Sequence, residues 1–424
     1  MLQLNSAVHA RTRLAEPETR DASAPARGRV GDVQFTVTSD LAALAGEWRR
    51  FEQHADCTVF QCYDWLSAWQ RHVGERLGAA PAIVVGRRGG EIVCILPLAV
   101  QRRTGARQLC FLGRELGDYN APLLAADFTS AHGGDFPALW HAIRASLQAD
   151  PQYRHDVILL DKMPAQVGAQ PNPFLQLAVN LNPSGAYAVR LEGDWETFYA
   201  AKRSSATRRR DRTKRKKLAE SGDVRMVTPE TAGDIALTLD ALFRQKSKAF
   251  ARMGVEDVFA RPGYREFFHE LATGERTRQL AHVSRLQVDS TFAATNFGLR
   301  FRGTYSHLIA SYDDGPLSRF GPGAAHLHDL MRHAIEHGCT VFDFTIGDEP
   351  YKRDWSDSEI ELYDHVAAAT ARGAAVAGTL AALRATKRAL KHSSLIWPLI
   401  VRLRAMRASL RKRPEPAKGQ DSEP

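Results

Sequence analysis

Cysteine is scarce: the chain has five (Cys57, Cys62, Cys94, Cys110, Cys339), scattered without the paired spacing of a metal site. An odd, sparse set argues against a disulfide scaffold and fits a reducing compartment. No stretch approaches the roughly 18 apolar residues needed to cross a bilayer. Residues 1–8 lack the basic start and apolar run of a signal peptide, so a cytoplasmic location is expected. No GxGxxG motif occurs, which removes the simplest dinucleotide-binding reading. Acidic residues are missing from two places in particular. Residues 372–413 hold eleven Lys or Arg and no acid, and residues 202–217 (KRSSATRRRDRTKRKK) hold ten against the single Asp211.

What is present is therefore a pair of local cationic segments on a moderately acidic body. The segments carry +11 and +9, while the whole 424-residue chain carries +9. Residues 395–401 (LIWPLIV) are interrupted by Pro398 and flanked by Lys391, Arg402 and Arg404, a pattern that suits a helix lying on an anionic membrane. The bland alternative docks that run on the body and leaves the arginines in solvent. Residues 1–31 are rich in Ala, Arg, Glu and Pro and read as a mobile extension, and residues 414–424 as a disordered tail.

At 44% hydrophobic residues the body can bury a large core. Its first part reads as a strand at 34–37, helices at 40–54 and 63–73, strands at 82–87, 91–102 and 107–112, a helix at 136–148 and a strand at 157–160. Trp65 and Trp69 sit at i,i+4 on one helix face. A Pro- and Asn-rich stretch at 163–184 reads as a connection. The second part repeats the order: helices at 195–218, 235–248 and 263–273, strands at 277–288, 291–301 and 303–311, a helix at 324–337 and a strand at 341–345. Helices, an antiparallel meander, then helix and strand, twice over, predict two α/β (α+β) domains with mixed sheets rather than a Rossmann fold.

Several segments carry chemistry. Arg319, Gly321, Pro322, Gly323 and Ala324 join the last meander strand to a helix, whose free N–H groups suit a phosphate or pyrophosphate; a plain tight turn is the alternative. Asp343 stands inside an apolar strand, where an unpaired carboxylate is costly, so it is either bonded to donors such as Lys352 or Arg353 or held as a reacting group. His307 shares a strand face with Tyr305 and Ile309 and could take a proton from a bound amine or hydroxyl. Asp118, Tyr119 and Asn120 form a polar cluster in the first half that could bind an acceptor or cap a turn. Asp348, Glu349, Lys352 and Trp355 crowd the loop after the Asp343 strand, a common place for binding groups.

The order and spacing of these pieces resemble the CelD-like branch of the GNAT-type acyltransferases, related to the FemAB aminoacyl transferases. The pieces are Gly117-Asp118-Tyr119-Asn120, Lys217-Leu218-Ala219-Glu220-Ser221-Gly222, Tyr312-Asp313 leading to Gly321-Pro322-Gly323, Phe342-Asp343-Phe344 with Gly347-Asp348-Glu349, and Tyr351-Lys352-Arg353-Asp354-Trp355. The resemblance covers residues 34–362. It implies a tandem of two GNAT-like domains, at 32–185 and 186–363, with acyl transfer in the second and a basic helical tail at 364–413. It also implies that Arg319, Gly321 and Gly323 hold the pyrophosphate of an acyl-CoA donor such as acetyl-CoA. Asp343, Asp348, Glu349, Lys352 and Trp355 would then line the acceptor site. His307 and Asp343 are the proton-transfer candidates from the residues themselves, and Tyr305, Asp118, Tyr119 and Asn120 are counted with the acceptor. The implied setting is cellulose or exopolysaccharide biosynthesis. No permanently bound cofactor and no metal are expected.

The basic helix has three readings. A cationic face that guides a CoA phosphate or an anionic glycan comes first, a solvated helix packed through Leu218 second, and aminoacyl-tRNA third, because the segment lacks interleaved aromatics for base stacking. Outside enzymology, the chain reads as a noncatalytic scaffold for a membrane polysaccharide synthase, held through residues 372–413 at the inner membrane face. An open groove between Arg319 and the Asp343 strand favours catalysis over that alternative.

Overall fold

The computed structural model describes residues 26–392 except Thr104, Gly133 and Gly134, with the backbone alone for residues 383–392. The expectations for residues 395–401, for the disordered tail and for most of the N-terminal extension lie outside the described residues. Two mixed sheets form the body. In the first, the spatial order is Arg27–Val30, Val33–Thr38, Ala80–Arg88, Glu91–Arg103, Ala106–Phe111, Val157–Pro164, Leu362–Ala368 and Val179–Leu181. In the second it is Val224–Val227, Ala281–Val288, Thr291–Phe301, Thr304–Tyr312, Val341–Ile346, Ala186–Arg190 and Ser358–Ile360.

Each sheet is a meander whose last strand meets the next one in parallel. The helix Phe136–Ala149 makes the crossover in the first half and Pro322–Glu336 in the second. The repeated plan read from the sequence is therefore the plan of the fold. The halves are not separate bodies, however. Trp65, from the first half, meets Phe267 edge-on at 4.9 Å, and one apolar cluster joins Trp65, Trp69 and Leu66 to Tyr264, Phe268 and Leu271. Burying aromatic rings of that size contributes several kcal/mol each, which fixes the halves against one another.

Three expectations change at element boundaries. The helix foreseen over 195–218 is two helices, Trp195–Lys202 and Ser205–Ala219, because the Ser204 hydroxyl accepts the Thr207 N–H at 3.2 Å and starts a new helix. Arg27–Val30, placed in the mobile extension, pairs with Val33–Thr38. Leu362–Ala368, at the start of the expected tail, returns to the first sheet between Val157–Pro164 and Val179–Leu181. The chain thus returns at its end to the first half, so the first sheet is not complete without residues from both ends of the body.

Candidate active site

The parallel strands Thr304–Tyr312 and Val341–Ile346 pair at three positions only: Thr304 with Val341, Tyr305 with Phe342 and Ser306 with Asp343. Beyond Ser306 they diverge, opening a fork in the sheet. The register between Thr291–Phe301 and Thr304–Tyr312 also slips there, between Phe297 opposite Ile309 and Leu299 opposite Ser306. Such a bulge bends a strand and re-aims its side chains. The expected common face for Tyr305, His307 and Ile309 is lost: Tyr305 packs with Phe342 and Leu327, whereas Ile309 joins the core on the other side.

A cavity of about 310 Å³ opens beside the fork, between the strand Thr304–Tyr312 and the crossover helix. His307, Ala310 and Ser311 form one wall, Gly323, Ala324, His326 and Leu327 of the crossover helix another, and Tyr351, Asp354 and Trp355 close it. Trp355 is stacked near Phe198 and Tyr199, with the Arg203 guanidinium 4.8 Å above its ring. Burial pushes the His307 pKa down to about 3, so the ring is neutral at ordinary pH, and its Nδ1 has no hydrogen-bond partner.

Asp343 faces the opposite way, toward the first half. Its Oδ1 accepts the Tyr119 hydroxyl at 2.7 Å and the Thr345 N–H at 2.7 Å. Burial pushes its pKa up to about 6, against those two bonds and the nearby Lys352. The expected direct partner, Lys352, instead donates to the Ile346 carbonyl at 2.7 Å and lies 3.2 Å from Glu349. Arg353 donates to the Tyr187 hydroxyl at 3.0 Å. Asp118 lies close enough to raise Asp343 further, and burial raises its own pKa as well. Thr345 sits at φ 58°, an outlier for a β-branched residue, and this turns its N–H onto Asp343. Gly347 completes the bend at φ 145°, where a Cβ would lie 2.2 Å from the Glu349 carboxylate.

The phosphate-loop expectation meets a mixed geometry. Gly321 caps the helix Pro322–Glu336 at φ 67°, which only glycine adopts readily. Its carbonyl takes the N–H groups of both Ala324 and Ala325, its own N–H goes to Ser318, and Pro322 has none. Gly323 is left as the loop amide without a backbone acceptor among the described residues. Arg319 turns outward and joins Phe320, Arg209, Arg210, Lys214 and Lys217 around a separate groove of about 550 Å³. The basic helix thus runs beside the loop, anchored by buried Leu218 and by Arg215 on Asp329 at 2.8 Å. Arg208, Arg209, Arg210, Arg212, Lys214, Lys216 and Lys217 make no ion pair among the described residues. The packing through Leu218 read from the sequence describes the buried side of this helix, and the unpaired cations lie on the rest of it.

Among the sequence candidates, Asp118, Tyr119, Asp343, Glu349 and Lys352 come together at the seam. His307, Gly323, Ala324 and Trp355 line the cavity. Tyr305 is fully buried instead, its hydroxyl held by Asn296 and His282 at 2.8 Å each. Asn120 ties its loop to the Asp161 carbonyl at 2.9 Å, and Asp348 lies 3.9 Å from Arg353. The sequence reading missed His326, Leu327 and Tyr351; His326 and Leu327 lie on the inward stripe of an amphipathic helix, a signal that marks burial but not a cavity. In the first half the corresponding space is filled by Phe174. Its ring lies 5.7 Å from Phe111, 5.0 Å from Phe136 and 5.1 Å from Trp140, so among the described residues an aromatic cluster stands where the second half has its cavity.

The histidines of this region set an expected acid response. Burial pushes His307 and His326 down to about 3 and His328 and His333 to about 4, from an ordinary 6.5. Such groups add stability that is complete above pH 6.5 and is lost as pH falls toward 4 and 3, since the unfolded chain binds the protons first. Glu52 and Asp343 act oppositely: raised to about 7 and about 6, they stabilise below their ordinary values and lose that contribution as pH rises through 6 to 7. Below about pH 4 those two contributions are complete, and the histidines lose stability together with carboxylates held low by their partners, such as Asp156 on the Arg107 N–H and Asp127 on Arg88. The urea midpoint should fall steeply from pH 5 to 4. A flat midpoint over that range would show that these rings are not held neutral.

Residues 205–353 match the family model described as the acetyltransferase (GNAT) domain. That stretch contains the basic helix, the Gly-Pro-Gly loop, the fork and Asp343. Among solved structures, the crystal structure of FemX overlays with a TM-score of 0.53 at 11% identity, covering 76% of this chain and 96% of that one. A conserved protein of unknown function from Bacteroides thetaiotaomicron VPI-5482 overlays at 0.49 with 12% identity, covering 77% and 98%. No curated protein matches the chain significantly in sequence. At 11% identity the likeness to FemX is one of fold, and it covers 76% of the chain, so it extends over both halves.

Proposed function

We propose that the second half transfers an acyl group, acetyl from acetyl-CoA in the first instance, to an amine or hydroxyl. The fork carries this reading. A strand edge left unpaired beyond Ser306 offers main-chain groups to the amides of an extended thioester arm, much as an added strand would pair. The cavity beside it suits the arm's end. The cationic groove with Arg319 and Lys214, next to the Gly323 amide, suits the phosphates at its other end.

The division of labour follows from the two faces. His307, neutral and with a free Nδ1, faces the donor side and orients the acyl group. With a pKa near 3 it is a weak base at neutral pH. Asp343, near 6, is the better-matched general base, and it faces the first half, from which the acceptor approaches. The acceptor's nitrogen or oxygen attacks the thioester carbonyl, its proton passes to Asp343, and main-chain N–H groups at the fork support the oxyanion. The C–S bond then breaks and the thiolate leaves with the CoA, taking a proton from solvent.

The cavity beside the fork supports this reading over a noncatalytic scaffold, but it is not the expected groove between Arg319 and the Asp343 strand, because Arg319 lies on the separate cationic groove. Cellulose or exopolysaccharide assembly is the proposed setting, on the strength of the sequence resemblance. No described helix is long and apolar enough to cross a membrane. The seven unpaired cations favour one second reading, a longer phosphate-bearing donor such as aminoacyl-tRNA. Calorimetric titration with acetyl-CoA should show saturable binding, weakened about tenfold in Arg319→Ala/Lys214→Ala through lost charge-assisted contacts. Absence of acyl-CoA binding to folded protein, together with salt-sensitive binding of aminoacyl-tRNA, would move the assignment to the second reading.

A further inference from the structure

The seam between the halves holds another cavity, of about 570 Å³, for which the transfer chemistry alone names no occupant. Its apolar surface comes from Tyr119, Pro164, Ala165 and Ile360, and Glu359 and Glu361 stand on its edge. Neither carboxylate makes an ion pair among the described residues; Glu361 accepts only the Tyr363 hydroxyl, at 2.6 Å. Tyr119 is the link to the chemistry. It lines this cavity, and its hydroxyl donates to Asp343 at 2.7 Å. It is also held rigidly, 5% exposed, with its carbonyl accepting the Gln61 side-chain amide at 2.7 Å and its ring packed edge-on to Phe60 at 5.7 Å.

Two grooves on the described surface have opposite signs. The one beside the basic helix is lined by five cations and no acid, and the one at Tyr119 by two carboxylates and no cation. In a chain of net charge +9, a negative edge with Glu359 beyond ion-pair reach of the exposed Arg353, leading to Tyr119 and the base it holds, selects for positive ligands. We infer that this cavity binds the acceptor and that the acceptor is a diamine. One ammonium is held at Glu359 and Glu361, an aliphatic stretch lies on Tyr119, Pro164 and Ile360, and the second nitrogen is presented at the Tyr119–Asp343 end. Lysine side-chain-like and polyamine-like molecules share this chemistry. A monoamine of equal length would keep the apolar contact and lose the carboxylates. The inference rests on the acyl-transfer reading for its meaning but not for its test.

The test is binding by calorimetry to the full chain with 1,5-diaminopentane as probe and n-pentylamine as the control. Wild-type protein should bind the diamine about tenfold more tightly than the monoamine, and Glu359→Gln/Glu361→Gln should erase that difference. The preference should also shrink with added salt, since both carboxylates are exposed. Acetyl-CoA affinity, measured on the same double variant, should be unchanged. Equal affinity for the two amines in the wild type, or a preference that survives the double variant, overturns the inference whatever acetyl-CoA does. Diamine preference in a protein that does not bind acetyl-CoA would keep the acceptor cavity and remove the donor reading instead.

Discussion

Asp343→Asn should lower kcat for acyl transfer by about 10²- to 10⁴-fold, the range that a lost general base produces, which corresponds to about 3–5 kcal/mol of barrier. The amide oxygen can still accept the Thr345 N–H and the Tyr119 hydroxyl, so folding and acetyl-CoA affinity should be retained. The pH profile separates a proton-transfer role from a structural one. With the Asp343 pKa near 6, wild-type kcat/KM should fall as pH drops below about 6, because the protonated carboxyl can no longer accept a proton. The Asn variant should lack that limb. Tyr119→Phe supplies a second check. The Tyr119 hydroxyl bond lowers the Asp343 pKa, so removing it should move the limb to higher pH while leaving a base in place. A fully active Asp343→Asn variant with an unchanged acid limb would take Asp343 out of the chemistry.

Phe174→Ala should destabilise the protein by about 3–5 kcal/mol, the usual cost of deleting a fully buried aromatic ring. Phe174 is 0% exposed and touches the rings of Phe111, Phe136 and Trp140, which belong to the strand and the crossover helix of the first half. In the second half, the space between the matching strand and helix is open and lined by His307, His326 and Leu327. If Phe174 is what closes the first half, its removal leaves a void between two well-formed elements that cannot collapse without moving both. The denaturant midpoint should drop accordingly, and Leu175→Ala beside it, only partly buried, should cost much less. Similar, small losses for both variants would mean that the 164–177 loop lies on the first half rather than wedging into it.

That plug marks where sequence reading stopped. Residues 163–184 look like a connection because Pro and Asn dominate them and no period emerges. One phenylalanine in such a stretch carries no local signal of the cavity it fills. The fork itself was half legible. The strands on either side of it follow from alternation and the loop from its glycines, but their divergence after three pairs depends on a bulge at 307–308, set by packing on both faces. The same bulge separates His307 from Ile309, whereas alternation alone sets the two proton-transfer candidates on opposite faces, because Asp343 pairs with Ser306 rather than with His307. Tyr305 looked like a site residue because it neighbours His307; its hydroxyl is instead committed to Asn296 and His282.

The sequence by itself determined the element types, the duplicated order of helices, meander and crossover, the cationic helix and the short list from which the site is drawn. Those features depend on local period, capping and charge, which act over a few residues. The tertiary structure alone decided that an aromatic cluster stands in the first half where the second has its cavity, that Tyr119 from one half holds Asp343 of the other across 224 positions, and that Leu362–Ala368 returns to the first sheet. These are long-range choices, set by which buried surfaces and buried polar groups satisfy one another, and no window of neighbouring residues contains both partners.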